Sequence, residues 1–289
     1  MSNVILLPLF LSLIPMFGWG LISVLAANLS RKVGGFNGGL LIQLFAFLGT
    51  LLISPIFFSL PEKINWFGLI IQGILGAGTY ILYCQALEKG KVPIVVPVVS
   101  AWAFISVILG VIFLGEVISP IKAISIFITI LGIIILTINW NKITRTRINL
   151  FNPGVLLALL VALGWGFSFF YLGPLTKQMG WFFTTIGSRT FIIISFFLAY
   201  FLRPQQSNLF QGVPWKVLLP IAALDVVAFT TYNLAVSRYY VSYVSVISSA
   251  SPLVAVVLGE FWLKEKTTRW QKFAIAVIIL GIIGLQFKN

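Results

Sequence analysis

The stretch VVPVVSAWAFISVILGVIFLGE (residues 95–116) recurs 149 residues further on as VSVISSASPLVAVVLGEFWLKE (residues 244–265). Both copies carry Ser-Ala early in the run (Ser100-Ala101, Ser249-Ala250), a later glycine (Gly110, Gly259) and a final glutamate (Glu116, Glu265). Branched apolar residues match easily by chance, so the Gly and Glu pairs, with Tyr83 and Tyr232 just upstream, carry the comparison. The apolar part is too long and unbroken for a barrel strand, which alternates with period two, and is about what a helix needs to cross a ~30 Å hydrocarbon core. Lipid offers the backbone no partner, so each amide must be bonded inside its own segment. This reads as a membrane-spanning helix, once in each half of the chain.

Working outward, the offset of 149 holds for Ala86 with Ala235 and for Ile130-Leu131-Gly132 with Ile279-Leu280-Gly281. Nearer the N-terminus, Gly18-Trp19-Gly20 recurs as Gly164-Trp165-Gly166 at an offset of 146. The difference of three fits a longer connection between the second and third helices of the second half. Ten apolar segments follow: Val4–Ala26, Gly39–Leu60, Trp66–Ala86, Pro93–Leu114, Pro120–Ile138, Gly154–Leu172, Phe182–Leu202, Val213–Val236, Tyr243–Leu263 and Trp270–Phe287. Trp66, Trp140, Trp181, Trp215 and Trp270 fall at segment ends, where an indole favours the membrane interface. The expectation is an all-α integral membrane protein of about ten transmembrane helices, with residues 1–140 and 150–289 as two five-helix repeats. Five is odd, so the second repeat enters from the opposite side and the repeats are inverted.

Composition supports lipid as the solvent: 60% of 289 residues are apolar and 9% charged, against roughly 25% charged in soluble domains. The first apolar run ends in Leu25-Ala26-Ala27, but no Lys or Arg precedes it, so it is expected to be a retained helix and not a cleaved leader. One cysteine, Cys84, excludes an intramolecular disulfide. With no histidine there is no Cys/His cluster for zinc or haem and no Ser-His-Asp triad; a carboxylate-only metal site or a Lys/Ser nucleophile is left open, but no closely spaced set of acids is visible, and no metal, cofactor or enzyme activity is expected.

The Gly-Trp-Gly of each first helix, the Tyr-x-x-Ala near each third (Tyr83, Tyr232), and the helix ending in Leu114-Gly115-Glu116 or Leu263-Lys264-Glu265 carry a resemblance. In this combination the chain resembles the EamA-type branch of the drug/metabolite transporter superfamily over essentially its whole length. The resemblance implies a secondary transporter with a central cavity between the halves, moving small polar or amphipathic metabolites such as amino acids as exporter or exchanger. It implies a prokaryotic inner (plasma) membrane, a small-molecule substrate and lipids as partners, and a monomer or homodimer. The chain departs from the pattern at Gln43, where such repeats often carry Arg. The matching position in the second half, Arg189, does carry it. The alternative is a non-transporting membrane component, such as a subunit of a lipid-carrier flippase or an assembly partner.

Candidate site residues are the polar groups that lipid would not tolerate. Arg189 and Asp225 fall inside apolar segments, and a charge at the bilayer centre costs at least ~2.5 kcal/mol on insertion scales, so they are expected to pair or to share a polar cavity; the alternative is an Arg189 that snorkels to the headgroups and an Asp225 bonded to a neighbouring helix. Burial disfavours the charged form of an unpaired carboxyl, which makes Asp225 the candidate for proton coupling. Trp19, Gln43, Tyr80, Tyr83, Trp102, Trp165, Tyr232 and Asn233 are the aromatic and amide candidates for substrate contact. Trp19 and Trp165 stand out because flanking glycines leave a notch beside each indole. Gly73, Gly76 and Gly78 are expected to serve helix packing.

Glu116 and Glu265, on opposite faces of inverted halves, are each expected to start the helix that follows, favoured by its dipole. Glu260 is placed near the interface, and Glu62 and Glu88 read as loop charges. The net charge of +13 does not point to nucleic acid, since eighteen of nineteen basic residues fall in connections or at helix ends. Thirteen lie in odd-numbered connections and five in even-numbered ones and the C-terminus, which by the positive-inside rule puts both termini outside the cytoplasm. The resemblance points the other way, to termini inside.

Overall fold

The computed structural model describes residues 6–90, 92–137, 153–202, 208–262 and 268–286. Among these it has twelve helices and no strand: α1 (Leu6–Val33), α2 (Gly35–Phe57), α3 (Trp66–Lys89), α4 (Val92–Ser100), α5 (Trp102–Leu114), α6 (Pro120–Thr137), α7 (Pro153–Met179), α8 (Trp181–Phe201), α9 (Trp215–Arg238), α10 (Val241–Ser249), α11 (Ser251–Trp262) and α12 (Arg269–Gly284). Six single helices and the stretch Val241–Leu258 are long and apolar enough to cross a membrane, while Val98–Leu114 and Pro120–Leu136 are shorter apolar helices. The expectations placed on Trp140 and Glu265, and on the side chain of Glu260, lie outside the described residues.

Helix ends follow local chemistry. Asn65 caps α3 by accepting from Gly68 N at 2.8 Å, and Thr268 and Gln271 form a capping box at the start of α12. Single glycines in a left-handed conformation join α1 to α2 (Gly34, φ 82°) and α7 to α8 (Gly180, φ 79°). They stand 146 residues apart, so the two halves make the same tight reversal, which an L side chain would strain.

The fourth and ninth segments correct the expectation of unbroken helices. Each breaks at its Ser-Ala: Ala101 N bonds Val98 O and Phe104 N bonds Ala101 O, and the same two short-range bonds recur at Ala250, with Ile247 and Leu253. One residue of 3₁₀-type winding therefore divides α4 from α5 and α10 from α11 at equivalent places. Glu88 is also corrected: it lies in the last turn of α3, and its Oε2 accepts from Gly35 N at 2.7 Å, tying α3 to the start of α2.

Packing crosses between the halves in matched pairs. α1 packs on α9 and its counterpart α7 on α3, while α6 and α12 pack on each other. The Gly-Trp-Gly glycines make these approaches possible. A Cβ on Gly18 would meet Ala228 of α9, and one on Gly164 would meet Thr79 of α3; Gly20 and Gly166 likewise abut Val254 of α11 and Ile105 of α5. Thr79 and Ala228, like Ile105 and Val254, are themselves 149 apart, so the motif makes the same two contacts in each half. Gly73 and Gly76 face Phe191 and Ile192 of α8, in keeping with a packing role; a Cβ on Gly78 would meet open space.

The outside is apolar, with Phe10, Leu52, Ile56, Phe67, Phe113, Leu202 and Leu280 among many exposed large side chains, while serines, threonines, Gln43, Gln72, Arg189, Asp225 and Asn233 are buried. That distribution inverts the soluble pattern, and with the long apolar helices it makes the chain an integral membrane protein.

Candidate functional site

A cavity of about 80 Å³ lies at the centre of the bundle, bordered by α1, α2, α3, α4, α5, α7, α8, α9 and α11. Its wall is built from equivalent positions of the two halves. Trp19 and Trp165, Gln43 and Arg189, Gly76 and Asp225, Tyr80 and Phe229, and Trp102 and Ser251 all line it. The first two pairs are separated by 146 residues and the other three by 149, the same offsets that define the repeat. A site at the interface of two repeats is where the halves can rearrange around one ligand.

The polar end is organised by Arg189, 1% exposed. Its Nη1 lies 2.9 Å from Asp225 Oδ2 and donates to Gln43 Oε1 at 3.1 Å; its Nη2 donates to the Asp225 main-chain oxygen at 3.0 Å. The guanidinium also lies over the Phe229 ring, 4.8 Å from its centre, a favourable cation–π placement. Arg189 is thus joined to α2 through Gln43, its own equivalent in the first half, and to α9 through Asp225. The contact with Oδ2 is close enough for an ion pair, but its angle is not that of a hydrogen bond. Asp225 Oδ2 is left with an open acceptor and Arg189 Nε with an open donor.

The apolar end is aromatic. Trp165 packs on Tyr83 at 4.7 Å between ring centres, Trp102 on Phe169 at 4.4 Å, and Trp19 on Phe169 at 5.1 Å. The hydroxyl of Tyr83 donates to Ser23 Oγ at 3.1 Å, and Gln72 Nε2 donates to Ser168 Oγ at 2.7 Å, leaving Gln72 Oε1 open.

Eight sequence candidates meet in this wall: Trp19, Gln43, Tyr80, Tyr83, Trp102, Trp165, Arg189 and Asp225. Tyr232 and Asn233 do not. Tyr232 stands behind the wall with its ring 5.5 Å from that of Trp19 and its hydroxyl bonded to Ser245 Oγ at 2.9 Å, while Asn233 Nδ2 donates to Thr185 Oγ1 at 2.8 Å. The sequence reading missed Ser23, Gln72, Ser168, Phe169, Phe229 and Ser251. The repeat could have found Phe229 and Ser251, as the partners of Tyr80 and Trp102; small hydroxyls such as Ser23 give no signal of their own.

Glu116 is also corrected. It does not start α6. The residue is 5% exposed and its carboxylate accepts from Val241 N at 2.6 Å and Ser242 N at 3.1 Å, so it caps α10, a helix of the other half.

Comparison with known proteins agrees with this architecture. An uncharacterised protein of Methanocaldococcus jannaschii is 38% identical over 78 residues, which is 27% of this chain. The match spans 56% of that relative, little over half its length. A solved crystal structure shares the fold, with a TM-score of 0.76 over 96% of each chain at 17% identity. The EamA-like transporter family matches twice, over residues 6–138 and 152–287. Together the two matches take in nearly the whole sequence, and the chain belongs to the EamA-like transporter family.

Proposed function

We propose that the protein is a secondary transporter that works by alternating access, with the Arg189–Asp225–Gln43 cavity as its substrate site. The observation that carries this reading is the cavity wall made from equivalent residues of both halves. Each half, residues 1–140 and 150–289, crosses the membrane five times, with α4–α5 and α10–α11 each counted as one broken crossing. The odd number inverts one half relative to the other, and two such halves can exchange conformations and present one central site to either side.

The substrate is a small polar or amphipathic metabolite, of which an amino acid is the best-fitting example. Arg189 and Asp225 offer an open donor and an open acceptor within one site. A zwitterion can use both without leaving a charge unpaired, and the aromatic wall takes its apolar part. Asp225 is the coupling carboxylate: ionised, it balances the substrate's ammonium group while Arg189 takes the carboxylate, and protonation removes that balance and releases the substrate. The protein acts as exporter or exchanger in a prokaryotic plasma membrane, and the basic bias of the odd-numbered connections puts both termini outside the cytoplasm. A C-terminal phosphatase reporter that stays silent would reverse that orientation without touching the site.

The test is uptake by proteoliposomes from a mixed metabolite pool under an imposed pH gradient, read by mass spectrometry. Zwitterionic metabolites should be enriched over empty vesicles, and Asp225→Asn should abolish the response to the gradient. No enrichment under any gradient would overturn transport; enrichment with unchanged pH response in Asp225→Asn would overturn the coupling role alone.

A further inference from the structure

Away from the cavity, a buried carboxylate joins the two halves. The chain leaves α5 through Gly115, whose φ of 63° and ψ of 30° are left-handed, and Gly115 N and Glu116 N both bond Gly110 O. This reversal turns Glu116 back along the last turn of α5. Gly110 leaves the room it needs, since a Cβ there would lie 2.7 Å from Glu116 Oε2 and 3.0 Å from Ser242 Oγ. The carboxylate accepts three bonds from the first two residues of α10: the amides of Val241 and Ser242 and the Ser242 hydroxyl. Negative charge is favoured at a helix N-terminus, where the amides lack partners of their own.

α5 belongs to the first half and α10 to the second, so this cap bridges the unit boundary. Between it and the cavity the space is filled. Val241 and Val244, fully buried, pack in one cluster with Trp102, Phe169, Leu172 and Tyr232. Trp102 and Phe169 are also cavity wall. A cavity that opens on this face must part α5 from α10, and doing so breaks the Glu116 grip.

We propose that Glu116 is a latch: its bonds to Val241 and Ser242 hold this face of the cavity shut, and they release when the cavity opens there. The inference rests on the alternating-access reading above. Glu116→Gln keeps the shape but removes the charge and points an amide donor at amide donors. A charged acceptor exceeds a neutral one by enough to shift a two-state equilibrium about tenfold.

The experiment replaces the lone Cys84 by Ser and introduces one reporter cysteine at a time, Val244→Cys behind the latch or Ser23→Cys in the cavity wall. Labelling by a membrane-impermeant maleimide is followed in proteoliposomes. With Glu116→Gln, labelling of Val244→Cys should rise about tenfold and that of Ser23→Cys should fall. Unchanged rates in monodisperse protein whose Ser23→Cys does label would overturn the latch and leave alternating access standing. A Ser23→Cys that never labels, with or without Glu116→Gln, would instead overturn alternating access. Should Glu116→Gln fail to stay monodisperse, Ser242→Ala, which removes one of the three bonds, is read in the same way. If that variant fails too, Glu116 is a structural cap and the latch is rejected.

Discussion

Removing Asp225 alone should destabilise the protein more than removing Asp225 and Arg189 together. At 2.9 Å and an effective dielectric constant of about 20, the attraction between the two charges is about 6 kcal/mol. Much of that offsets the desolvation of two buried ions, so the pair adds little net stability. Breaking it is different. In Asp225→Ala, Arg189 keeps Gln43 Oε1, the main-chain oxygen of residue 225 and the Phe229 ring, but no counter-charge. Those remaining partners put the loss near the lower end of the range for a stranded buried charge, about 3 kcal/mol. Arg189→Met with Asp225→Ala strands no charge; it takes the Arg189 donor from Gln43 Oε1 and from the main-chain oxygen of residue 225, which still lies within helix α9, so the loss is about 1 kcal/mol. The coupling between the two changes should therefore be about 2 kcal/mol or more in favour of the double variant. Unfolding midpoints of the four proteins in one detergent would measure it. A double variant as unstable as the sum of its singles would refute a coupled pair, because uncoupled sites add.

Two further outcomes follow from the geometry. Trp165→Ala removes the indole that packs on Tyr83 at the cavity edge, so substrate should bind about tenfold more weakly, by roughly the 1.4 kcal/mol that corresponds to that factor; calorimetric affinity unchanged within twofold would take Trp165 out of the site. Gly166→Val drives a branched side chain into Ile105 and the Trp102 main-chain oxygen, which should cost about 1–3 kcal/mol and lower the unfolding midpoint; an unaltered midpoint would mean α5 and α7 do not need this close approach.

The repeat was legible at residues whose role is local or steric. Gly18-Trp19-Gly20 and Gly164-Trp165-Gly166 could be matched because only glycine permits the contacts with Ala228, Val254, Thr79 and Ile105. Arg189 and Asp225 were legible because charge inside an apolar run has few explanations. The break at Ala101 was not, since alanine is a strong helix former and nothing beside it marks a change of winding, whereas at Ala250 the nearby Pro252, which has no amide to bond back along the helix, was a mark left unread.

The sequence by itself determined the class of molecule, the two-fold repeat and the charges that had to be buried. These depend on runs of residues and on backbone bonds made within a segment, so composition and spacing suffice. Only the tertiary structure decided which of two matched residues reaches the cavity. Tyr83 and Tyr232 occupy the same place in the repeat, yet Tyr83 lines the wall and Tyr232 bonds Ser245 behind it. Nor could the sequence name the partner of Glu116, whose helix begins 125 residues away. Successive side chains on a helix point about 100° apart. The rotation of each helix against neighbours from the other half therefore chooses the contacts, and that rotation is set by packing across the interface, which no single segment encodes.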